Sequence, residues 1–392
     1  MKGDCKMNSC ERIFQAIKTQ VCGAERVDFG ALSQEELEEL YAISKSQDMA
    51  HIVSAELHKQ GVLGQDEIGA ALKKQKMLAI FRYEQIQYEF DSVCQELESK
   101  KIRHLPLKGS VLRQYYPEPW MRTSADIDLL IPIDEYEKAQ QVLIEELKYT
   151  QGEQHEHDIS MYAPNGVHLE LHFGTIEEYC AVNAKGILDD IWQHAYVCDG
   201  FEYRYCLPDE WYYFYHVAHM AKHFEYGGCG LRFFLDMWIL TNRVEHDEQA
   251  RKELLERGGL LKFAERAEEL VNIWFGDGEH TDLTIRMQYH VLNNGVYGTQ
   301  ASNIAWKQIT QGGKNKRAKN ILFLPYEQMV KKYPSLKKHK ILLPFCHIRR
   351  WCSALFHGRT KSSIDSLKLN AEVANSKTEP IRDMLRELEL IH

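Results

Sequence analysis

The sequence predicts an α+β fold: a small mixed sheet with helices before it and a mostly helical region after it. Three observations carry the prediction. Residues 33–101 place apolar side chains at helical spacing, residues 102–173 alternate short strands with single helices, and the helical period returns beyond about residue 180. The pattern divides the chain into an N-terminal helical region (1–100), an α/β unit (101–176), a helical region closing a cleft over that unit (177–300) and a basic C-terminal region (301–392). With 392 residues, 44% of them hydrophobic and 27% charged, the chain is long enough for two or three domains and a sizeable core.

Each element has its own signal. From residue 33 the apolar spacing is helical, and Ser33 followed by Glu36 makes a capping-box start. MLAIFRYEQIQYEFDSVCQELESKK (77–101) is a second long helix. IRHLPL (102–107) is a short strand, after which Lys108-Gly109-Ser110 begins a helix running to about Tyr116. ADIDLLIP (125–132) is a strand closed by Pro132, and DEYEKAQQVLIEELK (134–148) is a helix with Asp134 as its N-cap. HDISMYAPNGVHLELHF (157–173) reads as two strands around the turn Pro164-Asn165-Gly166. PDEWYYFYHVAHMAKHF (208–224) and LRFFLDMWILTNRV (231–244) read as packed helices, and 247–275 holds two more. Beyond residue 300 the order weakens, and TQGGKNKRAKN (310–320) reads as a loop.

The ten cysteines are scattered with no Cys-x-x-Cys pair, which points away from a zinc ribbon or disulfide framework and toward reduced thiols in a cytoplasm. No apolar run is long enough to cross a bilayer, and MKGDCKMNSCERIFQAIK lacks the continuous apolar core of a signal peptide. The net charge of −9 hides an asymmetry: residues 301–392 carry 18 Lys/Arg against 7 Asp/Glu, whereas the first 300 carry 30 against 50. The basic tail suits phosphate-bearing partners, unless it is a set of ordinary solvated helix faces. The acidic remainder disfavours a template-dependent polymerase.

The chemistry concentrates in LPLKGSVLRQYYPEPWMRTSADIDLLIP, residues 105–132. Aspartate is a poor strand former, yet Asp126 and Asp128 stand one residue apart on an apolar strand. Side chains two apart share a face, so the pair converges, as Mg²⁺ requires when it also binds phosphates. Two like charges this close raise one pKa, and removing either is expected to leave metal-free stability level or higher. In VHLELHF, Val167, Leu169 and Leu171 form one face and His168, Glu170 and His172 the other, which makes Glu170 a third carboxylate. Asp158 is the alternative third carboxylate, and the two histidines are read as orienting carboxylates or facing solvent. Gly109-Ser110 offers close backbone approach and a hydroxyl to phosphate, flanked by Lys108 and Arg122, whose charge balances a triphosphate.

These residues resemble the DNA polymerase β-like nucleotidyltransferases, and more narrowly the bacterial group labelled uncharacterised nucleotidyltransferases. The resemblance extends to HLELHF, to HMAKHFEYGGCGLRFFLDMW and to LFLPYEQMVKKYPSLKKHKILLPFCHIRRW. It implies that 101–176 is a nucleotidyltransferase catalytic core, with Asp126, Asp128 and Glu170 as ligands of two Mg²⁺ (Mn²⁺ as substitute) and Gly109 and Ser110 as the triphosphate turn. The implied reaction moves an NMP, with ATP the favoured NTP, to an unidentified hydroxyl acceptor on a small molecule, peptide or protein, and releases pyrophosphate. Fifteen residues separate Ser110 from Asp126, a longer link than in compact members of the superfamily, and the third carboxylate is Glu where Asp is commoner.

Around this core, His172, His219, His223, Arg232 and Asp236 are the candidates for an acceptor pocket, and Tyr115, Tyr116 and Trp120 for stacking a base. His219 and His223 have zinc-ligand spacing, but HMAKH lacks the Glu of a zinc protease. The rivals are a modifier that adenylylates proteins or peptides and a non-catalytic copy that binds nucleotide or a partner. Three intact carboxylates argue against the last.

Overall fold

The computed structural model describes residues 7–155, 157–175, 184–296, 298–310, 312–356, 360–373 and 375–391. Four helices lead: α1 (Ser9–Ile17), α2 (Gln34–Ser46), α3 (Ala50–Lys59) and α4 (Glu67–Ser99). The expected box starts α2, with Ser33 Oγ accepting from Glu36 N at 3.2 Å and Ser33 N donating to Glu36 Oε2 at 2.9 Å.

The α/β unit follows: β1 (Leu105–Pro106), α5 (Gly109–Leu112), β2 (Asp126–Leu130), α6 (Tyr136–Glu145), β3 (Thr150–Gln154), β4 (Asp158–Tyr162) and β5 (His168–His172). The helix expected to run to Tyr116 tightens into a 3₁₀ turn at Arg113–Tyr115, because Pro117 and Pro119 cannot extend it. Asp134 does not cap α6, whose N-cap is Glu135 without a side-chain bond. Arg103 recruits both carboxylates instead, at 2.9 Å from Asp134 and 2.6 Å from Glu135.

The five strands run in the order β1-β2-β5-β4-β3, with β2 and β5 parallel and the other pairs antiparallel. β3, TQGEQ, has no signal in the sequence because it is a wholly exposed polar edge. One sheet face, bearing Ile127, Leu129, Ile131, Leu169 and Leu171, packs on Phe90, Val93 and Leu97 of α4 and Ala139, Val142 and Leu143 of α6. That burial leaves the opposite face for polar side chains.

The remaining elements are α7 (Ala184–Leu188), α8 (Ile191–His194), β6 (Tyr196–Val197), β7 (Tyr205–Cys206), α9 (Asp209–Glu225), α10 (Leu231–Asn242), α11 (Glu248–Arg257), α12 (Leu261–Phe275) and α13 (Asp282–Asn294). After them come α14 (Gln300–Thr310), α15 (Lys314–Leu322), α16 (Tyr326–Lys332), α17 (Leu343–Phe356), α18 (Thr360–Glu372) and α19 (Asn375–Glu387). A second core joins α1 to α3 with α9, α10, α12 and α13, closed by Met384, Leu385, Leu388 and Leu390. Phe214, Phe224, Phe234 and Phe263 are fully buried in it, each contributing about 1.5–3 kcal/mol.

The segment read as a loop contains α15, since KNKRAKN favours helix once Gly312 and Gly313, at φ 81° and 101°, absorb the turn. Buried Arg317 docks that helix on Asn370 at 2.7 Å. Cys198 and Cys206, read as free thiols, are joined across the β6–β7 hairpin, where antiparallel pairing brings their Cα atoms to 5.3 Å.

Candidate active site

Strand register builds the site. Parallel β2–β5 pairing sets Asp126 beside His168, Asp128 beside Glu170 and Leu130 beside His172. Antiparallel β4–β5 pairing sets Ser160 opposite Glu170 and Asp158 opposite His172. Paired residues share a face, so these side chains, Leu130 apart, form a polar strip on the face turned away from α4 and α6. Ligand atoms of Asp126, His168 and Glu170 lie within 4.8 Å of one another, as do those of Asp128, Glu170 and His172. Each group brings two carboxylates and one imidazole together around the shared Glu170, a donor set rich enough in hard oxygen to fit a divalent cation such as Mg²⁺.

Lys108 reaches this strip from the β1–α5 turn. It is a non-glycine residue at φ 48°, a strained conformation offset by what its ends bind. Its Nζ lies 2.7 Å from Asp128 Oδ1 and 3.8 Å from Glu170 Oε2, and its carbonyl accepts from Tyr212 OH at 2.8 Å. His172 Nε2 lies 2.9 Å from the same Asp128 oxygen and 3.4 Å from Glu170 Oε2.

The charges split the two aspartates. Burial and the neighbouring Asp128 and Glu170 charges push the Asp126 carboxyl up to about 6, with Lys108 and Arg232 pulling against them. Burial opposes ionisation of Asp128 too, but Lys108 and the His172 hydrogen bond outweigh it and hold this carboxyl below its ordinary value. Glu170 is held low in the same way, its burial outweighed by His172 and Lys108 against the opposing charge of Asp128. Burial works against the His172 cation, yet hydrogen bonds to Asp128 and Glu170 push it up to about 9. The relief of repulsion expected at both aspartates is therefore confined to Asp126.

The turn at Gly109 is held from beneath. Arg113 Nε donates to Gly109 O at 2.9 Å and its Nη2 to Ser124 Oγ at 2.9 Å. A Cβ at Gly109 would lie 3.3 Å from both Arg122 Nη1 and Ser124 Cβ. Arg122 is buried against Asp236, with Nε at 2.7 and 2.9 Å from the two carboxylate oxygens, and Tyr116 OH joins at 2.7 Å. Burial disfavours the Arg122 cation, and Asp236 more than restores it. Arg232 pairs with Asp48, at 3.2 Å.

Lys108, Gly109, Arg122, Asp126, Asp128, Glu170, His172, His219, His223, Arg232 and Asp236 line one cavity of ≈ 730 Å³, and Asp158 lines it as well, whereas Ser110 and His168 do not. Ser110 Oγ is buried without a hydrogen-bond partner among the described residues, and the residue lines a neighbouring cavity of ≈ 710 Å³. Tyr115 also faces that neighbour, Tyr116 is spent on Asp236, and Trp120 packs edge-on to His51. The aromatic side chains of the carboxylate cavity are instead Tyr212, Tyr215 and Phe233, joined by His216 and Lys222. The signal for those on α9 was the stripe 212, 215, 216, 219, 222 and 223, spaced by three and four along the helix.

A family model described as an uncharacterised nucleotidyltransferase matches residues 33–276, more than half of the chain, and the chain belongs to that family. The match spans every element that carries the site. No curated protein and no solved structure matches the chain. Among the described residues no helix is long and apolar enough to cross a membrane.

Proposed function

We propose that the protein transfers an NMP, AMP foremost, from an NTP to a hydroxyl acceptor with release of pyrophosphate. One observation carries the reading: Asp126, Asp128 and Glu170 face a single cavity that the Lys108–Gly109 turn also lines. The volume, ≈ 730 Å³, suits a nucleotide together with a small acceptor or the reacting end of a larger one. The three carboxylates would hold Mg²⁺, or Mn²⁺ in its place, which supplies charge neutralisation for the triphosphate and the departing pyrophosphate.

The chain's own residues orient the reactants. The bare backbone at Gly109 allows close approach of phosphate, and Lys108 contributes positive charge beside it. The acceptor O–H bond breaks and its proton passes to water in the cavity, its oxygen bonds to the α-phosphorus, and the bond from the α-phosphorus to the bridging oxygen breaks to release pyrophosphate. Asp128 and Glu170, both held ionised, keep their charge through this step. His219 and His223 with Arg232 form the helical wall on which the acceptor rests. His219 is kept neutral there by burial and by the nearby Lys108 cation.

The test is incubation with each α-labelled NTP, Mg²⁺ and a lysate of the source cell. Label on a small molecule identifies a small-molecule transferase, and label on a polypeptide identifies a protein or peptide modifier. Absence of transfer with every NTP, in a protein that binds nucleotide, would establish the non-catalytic alternative.

A further inference from the structure

We propose that His157, Asp158 and His172 form a second metal site, distinct from the three-carboxylate centre and selective for a borderline ion of the Zn²⁺ class. A ring nitrogen from each histidine and a carboxylate oxygen of Asp158 lie within 4.8 Å of one another. Two imidazoles and one carboxylate suit Zn²⁺ and its neighbours, whereas Mg²⁺ prefers oxygen donors alone.

The fold assembles this trio deliberately. Asp158 and His172 are directly paired across β4 and β5. The His157 carbonyl accepts from Phe173 N at 2.9 Å and Gly174 N at 3.1 Å, pinning His157 at the same end of the ladder. A Cβ at Gly174 would lie 3.2 Å from the His157 Cβ, so glycine there leaves room for the histidine. The His157 and His172 rings lie 5.7 Å apart and within 28° of parallel, and His157 Nε2 is 3.2 Å from Asp158 Oδ2.

Unmet polar atoms are what point to a ligand. Asp158 is 5% exposed, His172 2% and Thr175 7%, yet Asp158 Oδ1, His172 Nδ1 and Thr175 Oγ1 are buried with no hydrogen-bond partner among the described residues. Leaving such atoms unpaired costs about 1–3 kcal/mol each, which a cation with a coordinated water removes at once. His172 Nε2 is already committed to Asp128, so Nδ1 is the nitrogen that takes the ion, giving up its proton. A metal-bound histidine whose other nitrogen donates to a carboxylate is a recurrent arrangement, and here that carboxylate is Asp128. An ion at this site thus fixes the ring that positions Asp128, and the cluster lines the same cavity.

The measurement needs no turnover and stands apart from the transfer reading. Chelator-stripped full-length protein is titrated with Zn²⁺ against a chromophoric chelator, with millimolar Mg²⁺ present to fill the carboxylate centre. The wild type is expected to take about one Zn²⁺ per chain with a sub-micromolar Kd. His157→Ala and Asp158→Asn weaken it by at least about 100-fold, whereas Asp126→Asn keeps it within about threefold. Circular dichroism establishes that each variant is folded, and His157→Gln is read where His157→Ala is not. No retained Zn²⁺ in the wild type would overturn the proposal, as would binding indifferent to His157 and Asp158. Loss in Asp126→Asn equal to that in His157→Ala would also overturn it, by placing the ion among the three carboxylates.

Discussion

Asp126→Asn should stabilise the metal-free protein at neutral pH. The carboxyl is pushed from its ordinary 3.8 to about 6 by burial and by the charges of Asp128 and Glu170. The folded state therefore binds a proton that the unfolded state releases, and stability falls as pH rises from about 4 to about 6. At 1.36 kcal/mol per pH unit that displacement amounts to about 3 kcal/mol, a ceiling because water reaches part of this half-buried side chain. Asparagine removes the penalty. In thermal melts with chelator, the variant should exceed the wild type by a few degrees at pH 7.5 and match it at pH 4. Saturating Mg²⁺ should reverse the order, because only the wild type gains the full binding energy. An Asn variant less stable than wild type in chelator at pH 7.5, with the same deficit at pH 4, would refute the electrostatic reasoning.

Asp128→Asn should act the other way without metal, lowering the melting temperature because Lys108 and His172 lose their ionised partner, and it should cut turnover by about 100-fold or more. His172→Gln should destabilise the metal-free protein most below pH 6.5. That difference should fade as pH rises through about 9, because a raised histidine pKa stabilises only while the proton is held. Asp236→Ala leaves Arg122 buried without its partner, so denaturant melts should show a loss of about 3–5 kcal/mol. Neutralising the exposed Lys316 and Lys319 should weaken any anionic partner in a salt-dependent way and spare turnover at saturating substrate, as measured by kinetics at two ionic strengths.

The strands that carry the candidate site were legible because period-two alternation survives in DIDLL and HLELH, each with apolar side chains on one face and carboxylates or imidazoles on the other. The cavity wall was legible only in part. His219, His223, Arg232 and Asp236 stand out as polar residues in apolar helices, whereas Tyr212, Tyr215 and Phe233 read as core until α9 and α10 are set over the sheet. Partnerships across long separations had no local signal: Arg122 with Asp236, Arg232 with Asp48, and Arg103 with the carboxylates expected at the α6 cap. The exposed edge β3 carried no apolar pattern to read. The Cys198–Cys206 link follows from hairpin pairing, which spacing alone did not reveal.

The central claim is tested most directly by offering the protein ATP labelled at the α-phosphate in one reaction and at the γ-phosphate in another, with Mg²⁺ and the source-cell lysate. Transfer of a nucleoside monophosphate predicts α-label on an acceptor and γ-label in pyrophosphate, both lost in Asp128→Asn. Gamma-label on the acceptor, or α-label transfer undiminished in a folded Asp128→Asn variant, would contradict the account.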